Sequence, residues 1–471
     1  MTGSFLLINT NVARPPVSPV GLEYVGEALV RAKVPVQVLD LAFETDWKAA
    51  LARALKDEPL VVGVTVRNTD DSSFATKKSF LPWISKVITE VRRLTRAFVL
   101  LGGVGFSIMP ETVLRLTQAD AGIAGDGEEV VLALTRCLMN GEDIPHLPNI
   151  VYPHRRGIVR NPRVNVDLQR LPVPRRQLFD NIRYEQLGAM VGIETKRGCP
   201  QQCIFCADPV AKGSSLRLRP PKKVMQEFQA LLAQGVSWFH LGDSEFNLPI
   251  GHAKEVCHAI IQAGLGDKLR WYCYCAPTPF DHELASLMKR AGCAGINFGV
   301  DSLCDEQLSR LGRSHSTGDI HRLVYLLKGL NYMFDLLVGG PGEREETVRT
   351  TVDKVKELNI PLAGIAVGIR VYPETPLGQA IANGSIQEGL HPGGGLSEPF
   401  FYLSPALGSD ASALINELVA GDPRFLVLSS PAEEGSYNYA DDEALGELIK
   451  KGARGAYWDI ISRNAKTTGE G

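Results

Sequence analysis

The chain has 471 residues, 44% of them hydrophobic and 22% charged, which is ordinary globular usage with room for about three domains. A formal net charge of −3 leaves no broad basic field, which argues against a nucleic-acid or anionic-lipid partner. No run of about 20 apolar residues is present to span a membrane, and nine cysteines, an odd number without a secretory leader, point to the reducing cytoplasm rather than a disulfide framework.

Residues 1–150 alternate strand and helix. Apolar strand segments are predicted at Ser4–Asn9, Val34–Leu41, Leu60–Val66, Ala97–Gly103 and Ala121–Gly125, with helices near 22–29 and 80–94. This pattern predicts an α/β fold with a doubly wound, Rossmann-like parallel sheet. Ligands of such sheets sit beyond the carboxyl ends of the strands. The loops there carry Val20-Gly21, Thr65, Arg67-Asn68, Gly102-Gly103 and Gly125-Asp126-Gly127-Glu128. Residues 151–189, with Leu171-Pro172-Val173-Pro174-Arg175-Arg176, are too rich in proline for a continuous helix and read as an ordered linker.

The third region, 190–375, opens on Thr195-Lys196-Arg197-Gly198 and then Cys199, Cys203 and Cys206. Three cysteines do not close a structural zinc site, which takes four ligands. They suit a 4Fe-4S cluster held by three of its irons, with the fourth iron open to substrate or cofactor. Three inert buried thiols are the alternative. Strand segments at Met190–Lys196, Ser237–Gly242, Arg270–Ala276, Gly295–Val300, Met333–Gly339 and Gly364–Val371 alternate with amphipathic helices. Barrels of such units place their chemistry on the loops after the strands. Those loops carry the cysteines, Asp243-Ser244-Glu245, Cys275-Ala276, Asp301-Ser302 with Arg313 beyond, Gly339-Gly340-Pro341-Gly342 and Tyr372-Pro373. Cys273 and Cys275 share one face of their strand and Tyr272 and Tyr274 the other, so the two thiols read as core or, for Cys275, as a group beside the cofactor.

The spacing of Cys199, Cys203 and Cys206, with Phe205 before the last, resembles the signature of the radical S-adenosylmethionine (SAM) superfamily. The strand–helix repeat resembles its partial (β/α)6, TIM-type barrel. The N-terminal loops resemble the cobalamin-binding domain that precedes many members. The Asp-x-His-x-x-Gly motif of many cobalamin proteins is missing, however, and no histidine occurs before His146. The resemblance implies a cluster on the three cysteines, SAM chelating the open iron, and cobalamin without an imidazole from its own domain. It implies a SAM site made by Phe205, Asp243, Glu245, Cys275, Ser302, Arg313, Gly340 and Tyr372. In that site Glu245 meets the amino group, Ser302 and Arg313 the carboxylate and ribose, and Phe205 and Tyr372 the adenine. Around cobalamin it implies Val20, Gly21, Thr65, Asn68, Gly102, Gly103, Gly125, Gly127 and Glu128. Arg67 falls across the lower cobalt face, as an arginine does in a tryptophan-methylating member. Arg197 is expected to moderate the charge of the cluster.

Residues 376–471 read as a small C-terminal α+β region, with a strand at Arg424–Leu428 and a helix at Asp442–Lys451. Tyr437, Tyr439 and Trp458 are its candidate substrate residues; docking of the tail onto the barrel is the alternative for Trp458. The function implied by the resemblance is methyl transfer to an unactivated or sp2 carbon through a 5'-deoxyadenosyl radical and methylcobalamin. A polar transfer without SAM cleavage also exists among relatives. A non-methylating rearrangement, cyclisation or oxidation stays open, with cobalamin retained or lost, as does a non-catalytic iron–sulfur sensor. Glu245 and the glycine loops tell against a sensor, which needs no SAM cradle. The expected partners are a small-molecule or peptide substrate and an external electron donor of flavodoxin or ferredoxin type. Cobalt and cluster must share a cavity, so the carboxyl edges of the two sheets are expected to oppose each other.

Overall fold

The computed structural model describes residues 3–408, 410–428 and 443–468. It begins with the series β1 (Phe5–Asn9), α1 (Val20–Arg31), β2 (Val36–Asp40), α2 (Trp47–Ala54), β3 (Val61–Thr65), α3 (Leu81–Leu94) and β4 (Phe98–Gly102). Next come α4 (Val104–Ile108), α5 (Pro110–Thr117), β5 (Ala121–Ile123) and α6 (Glu128–Asn140). β1 and β3 are buried throughout, and apolar up to the terminal Asn9 and Thr65, because helices cover both faces, as parallel sheets require. Strands β2-β1-β3-β4-β5 run parallel in that order, and the reversal between β1 and β3 opens a crevice at their carboxyl ends.

Two strands not predicted from the sequence, β6 (Ile150–His154) and β7 (Gly157–Arg160), extend this sheet, β6 antiparallel to β5 and β7 antiparallel to β6. β5 pairs only with Ile150 and Val151, so Pro153 lies past its end and its missing N–H removes no bond to β5. Extended chain then leads to α7 (Asn181–Gln186).

The second sheet is built from β8 (Val191–Ile193), the ribbon β9 (Lys196–Arg197), α8 (Asp208–Lys212), β10 (Arg217–Leu218), α9 (Pro221–Gln234), β11 (Trp238–Leu241) and α10 (Ile250–Gln262). It continues through β12 (Arg270–Cys275), α11 (His282–Arg290), β13 (Cys293–Asp301), α12 (Asp305–Arg310), α13 (Thr317–Leu326), β14 (Tyr332–Val338), α14 (Glu345–Glu357) and β15 (Ala363–Val367). The C-terminal region adds β16 (Ile369–Arg370), α15 (Pro376–Ala382), β17 (Leu390–His391), β18 (Phe401–Tyr402), α16 (Ala411–Val419), β19 (Phe425–Leu428), α17 (Glu443–Lys450) and α18 (Tyr457–Thr468). β19 pairs parallel with β15, so this region lengthens the barrel sheet, whose order is β8-β11-β12-β13-β14-β15-β19.

Alternation divides the barrel strands into a helix-facing core, with Trp271, Cys273 and Cys275, and a lumen-facing side, with Tyr272 and Tyr274. α18 closes the amino-terminal end of the lumen: Trp458 packs there against Tyr272, Met333, Leu362 and Leu426.

Buried charge holds the two sheets together. Arg176, fully buried, meets Glu227 at 2.6 Å, and Arg219 meets the same carboxylate at 2.7 Å beside the Tyr24 hydroxyl of α1. On the opposite flank Arg370 holds Asp70, from the loop after β3, at 2.8 Å. The carboxyl edges of the two sheets thereby oppose each other. Among the described residues no helix is long and apolar enough to cross a membrane.

Candidate active site

Gly198 makes the turn from β9 into the cysteine loop. Its φ of +91° favours glycine, and a Cβ would strike the Ser215 carbonyl. The strand end before it is anchored by Asp243, which accepts from Thr195 N at 2.8 Å, Thr195 Oγ1 at 2.5 Å and Lys196 Nζ at 3.1 Å. Asp243 is thus fully engaged beneath the loop and supports it rather than contacting SAM. Cys199 and Cys203 are buried and Cys206 is half-buried. Burial pushes the Cys199 thiol up to about 11 and that of Cys206 higher still, so an uncompensated thiolate is disfavoured and iron is the natural counter-charge. Among the described residues no group of three His, Cys, Asp or Glu side chains is arranged to hold a single metal ion.

Arg313 reaches this loop from beyond α12. Its Nη1 lies 2.9 Å from Cys203 Sγ, its Nε 3.0 Å from Asp301 and its Nη2 3.9 Å from Glu245, and it also donates to the Gly299 carbonyl. Gly299 makes room: a Cβ there would sit 3.3 Å from Arg313 and 3.5 Å from Glu245. Glu245 is buried, its Oε2 has no hydrogen-bond partner, and burial pushes its carboxyl up to about 8 against the pull of Arg313. An unmet acceptor beside the three thiols fits the amino group of SAM.

The other residues assigned to SAM by resemblance have partners within the protein. Cys275 faces the helices, its Sγ 3.8 Å from that of Cys273, because the strand turns that side away from the lumen. Ser302 Oγ is 3.0 Å from Thr351 Oγ1 and accepts from Cys304 N, which ties the loop after β13 to α14. The Gly339 and Gly340 amides both donate to Glu343, at 2.6 and 3.0 Å, and Gly340 packs on Gln307 and Leu311, so this loop is capped from within. Phe205 lies behind the cluster loop, against Leu311, Ile369 and Leu377. Tyr372 turns to the other sheet, its hydroxyl 3.3 Å from Ser72 Oγ and its ring 4.5 Å from the Arg370 guanidinium.

Across the seam, a cavity of about 160 Å³ lies between the first sheet and helices α1 and α6. Gly21, Thr65, Gly102, Gly103, Gly125, Gly127 and Glu128 line it, with Arg197 and Lys212 on the barrel side. A Cβ at Gly21 or Gly102 would meet nothing within 4 Å, so both border open space, a cradle of the kind a bulky ligand such as cobalamin fills. Arg67 and Asn68 instead line a second cavity of about 190 Å³ with Thr10 and Trp83, at the crevice between β1 and β3. Val20 borders neither; it lies against Gly192 of β8. His146 is near Cys137 of α6, 4.0 Å away, and not at these loops.

Arg197 joins the two sites. It binds Asp126 at 3.0 Å, Glu128 at 2.6 Å and Glu194 at 2.9 Å. With three carboxylates around it, its charge is neutralised at the seam and is not turned on the cluster, contrary to the sequence expectation.

The lumen holds residues that sequence reasoning passed over. Tyr274 is 43% exposed although it points into the barrel, and the His240 ring meets it edge-on at 5.4 Å. Burial pushes His240 down to about 4, against the opposing pull of Asp243. Lower down, Asn297 Nδ2 donates to Asp335 at 3.1 Å. Trp458 is 1% exposed and its Nε1 donates to Asn297 Oδ1 at 2.7 Å, so it plugs the barrel floor and is not part of an accessible substrate surface. Tyr437 and Tyr439 lie outside the described residues. His240, Asn297 and Asp335 were legible only as polar residues on alternate positions of barrel strands.

The Radical SAM superfamily model matches residues 193–355, and the B12 binding domain model matches residues 6–135. Tryptophan 2-C-methyltransferase of Streptomyces laurentii is 35% identical over 446 residues, covering 81% of this chain and 74% of that protein. The solved structure of the radical SAM methyltransferase TsrM from Kitasatospora setae, with tryptophan substrate and a SAM analogue bound, superposes with a TM-score of 0.91 at 32% identity, over 99% of this chain and 100% of that one. The same enzyme with cobalamin and a 4Fe-4S cluster bound gives 0.90 at 29% identity, over the full length of both. A likeness of this degree over this much of the sequence is one of family: the chain belongs to the cobalamin-dependent radical SAM methyltransferases.

Proposed function

We propose that this enzyme methylates an sp2 carbon of tryptophan or of a closely similar indole. The carrying observation is the aromatic wall that Tyr274 and His240 form on the lumen side of the barrel strands. An indole fits such a wall by stacking or edge contact. The named activity of the Streptomyces laurentii relative supports the same substrate. When bound, cobalamin relays the methyl group of SAM to the substrate carbon.

The chain's own residues bind and orient. Cys199, Cys203 and Cys206 hold the cluster, and Arg313 fixes the Cys203 sulfur. Glu245 accepts from the SAM ammonium in the space that Gly299 leaves free. The seam pairs keep the two cofactors at a fixed separation. Nine cysteines in the sequence, none of them disulfide-bonded among the described residues, support a cytoplasmic setting with a flavodoxin- or ferredoxin-type electron donor.

Anaerobically reconstituted enzyme, supplied with SAM, hydroxocobalamin, reductant and L-tryptophan, should form a product heavier by one methyl group. Ring-deuterated tryptophan should lose its label from the carbon that is methylated. If tryptophan is recovered unchanged while the cofactors are loaded, the substrate assignment is wrong.

A further inference from the structure

Asp335 is a lumen carboxylate that pairs with no lysine or arginine among the described residues. Its partner is the Asn297 amide, 3.1 Å from one carboxylate oxygen and 3.4 Å from the other. That amide is held in place, because Trp458 Nε1 donates to its oxygen at 2.7 Å. Burial pushes the Asp335 carboxyl up to about 7, and Asp301, on the next strand, adds its repulsion.

Tyr274 is 43% exposed while Cys273 and Cys275, on the other face of the same strand, are 1% and 0% exposed. Gly299 and Gly364 present no side chains to the lumen; a Cβ at Gly364 would meet Met333 Cε at 3.2 Å and Asp335 Oδ1 at 3.6 Å. The chamber therefore has an aromatic wall, a stretch with small residues, and a negative charge lacking a counter-ion.

We propose that Asp335 receives the ammonium group of an amine-bearing substrate whose ring lies against Tyr274 and His240. This rests on the indole reading above and extends it to the amino acid portion. A neutral N–H donor would leave the carboxylate charge uncompensated in a confined site, whereas an ammonium cancels it and supplies strong charge-assisted bonds. The SAM ammonium has a nearer acceptor in Glu245, whose Oε2 is unpartnered beside the cluster loop.

The test is equilibrium binding of L-tryptophan, tryptamine and indole-3-propionate to the reconstituted holoenzyme, wild type and Asp335→Asn. In the wild type the two amines should bind roughly tenfold to a hundredfold more tightly than indole-3-propionate, the range of a charge-assisted bond. In Asp335→Asn that gap should close, with KM for tryptophan raised far more than kcat is lowered. A wild type indifferent to the amine overturns the inference by itself, even if the variant does not fold. Equal weakening of all three ligands in the variant also overturns it, since that marks a structural role. A wild type that favours the two amines but leaves bound tryptophan unmethylated in the fully loaded enzyme would uphold Asp335 and sink the tryptophan assignment.

Discussion

Arg197 offers the sharpest test of how the two cofactor sites are joined. It stands two residues before Cys199 and contacts Asp126, Glu128 and Glu194 at 3.0, 2.6 and 2.9 Å. Arg197→Met keeps the length of the stem and removes the charge. Asp126 would keep Arg217 as a partner, but Glu128, whose second oxygen is already without a partner, would have no cation left among the described residues. Breaking a buried pair by removing one member typically costs about 3–5 kcal/mol. With Arg217 still in place and water able to enter an opened seam, a figure of about 2–4 kcal/mol is reasonable here. The cost falls on the closed seam, and the cobalamin cavity is walled by both sheets, so cobalamin affinity should drop roughly thirtyfold or more. Arg197→Lys restores a charge but not the fork that spans three carboxylates, so it should recover only part of the loss. Absorbance titration of hydroxocobalamin into the cluster-loaded protein measures this directly. Wild-type affinity in Arg197→Met would refute the view that these pairs hold the cavity shut.

Two further outcomes follow from the lumen. The Asp335 carboxyl, raised to about 7 in the folded chain from an ordinary value near 3.8, binds its proton more tightly when folded, so its contribution to stability falls as pH rises between those values. Asp335→Asn should therefore match the wild type in thermal stability near pH 4 and exceed it at pH 8, by something on the order of 4 kcal/mol; a difference independent of pH would contradict the desolvated charge. Trp458→Ala removes the floor of the barrel and the donor that fixes Asn297, and should cost about 3–5 kcal/mol by denaturation. An unchanged midpoint would mean that α18 does not close the barrel.

Local chemistry was readable from the sequence and long-range partnership was not. The cysteine spacing carries its meaning within eight residues. The strand–helix alternation carries the sheets, because burial on both faces imposes continuous apolar runs on β1 and β3. What misled was the direction in which a polar residue points once its strand has ended. Asp243 and Glu245 are two positions apart; the first is taken up by Thr195 and Lys196 and the second turns toward Arg313. Arg176 read as one basic residue of an ordered, proline-rich linker, and its full burial was not legible because its partner Glu227 arrives from a helix 51 residues on. β19 joined the barrel for a similar reason. Its pairing with β15 depends on an edge that only the folded sheet exposes. The lumen residues escaped notice because an aspartate or asparagine inside a strand looks the same in sequence whichever face it occupies.

The placement of charge also bears on how the methyl group is delivered. A misplacement of about 1 Å at a reacting centre is enough to cost a hundredfold in rate. Here the two sheets are tied on opposite flanks of the loops that face each other, by Arg197 with Asp126 and Glu128 on one side and by Arg370 with Asp70 on the other. All of these side chains are buried or nearly so, and opening either flank leaves a charge without its partner. Hinge motion in either direction is therefore opposed. A site that depended on substrate to draw its halves together would do better with a wet, weakly paired seam. Fixed pairs at both edges instead set the separation of the cofactors before substrate arrives, and leave recognition to the lumen, where Tyr274, His240 and Asp335 meet whatever enters.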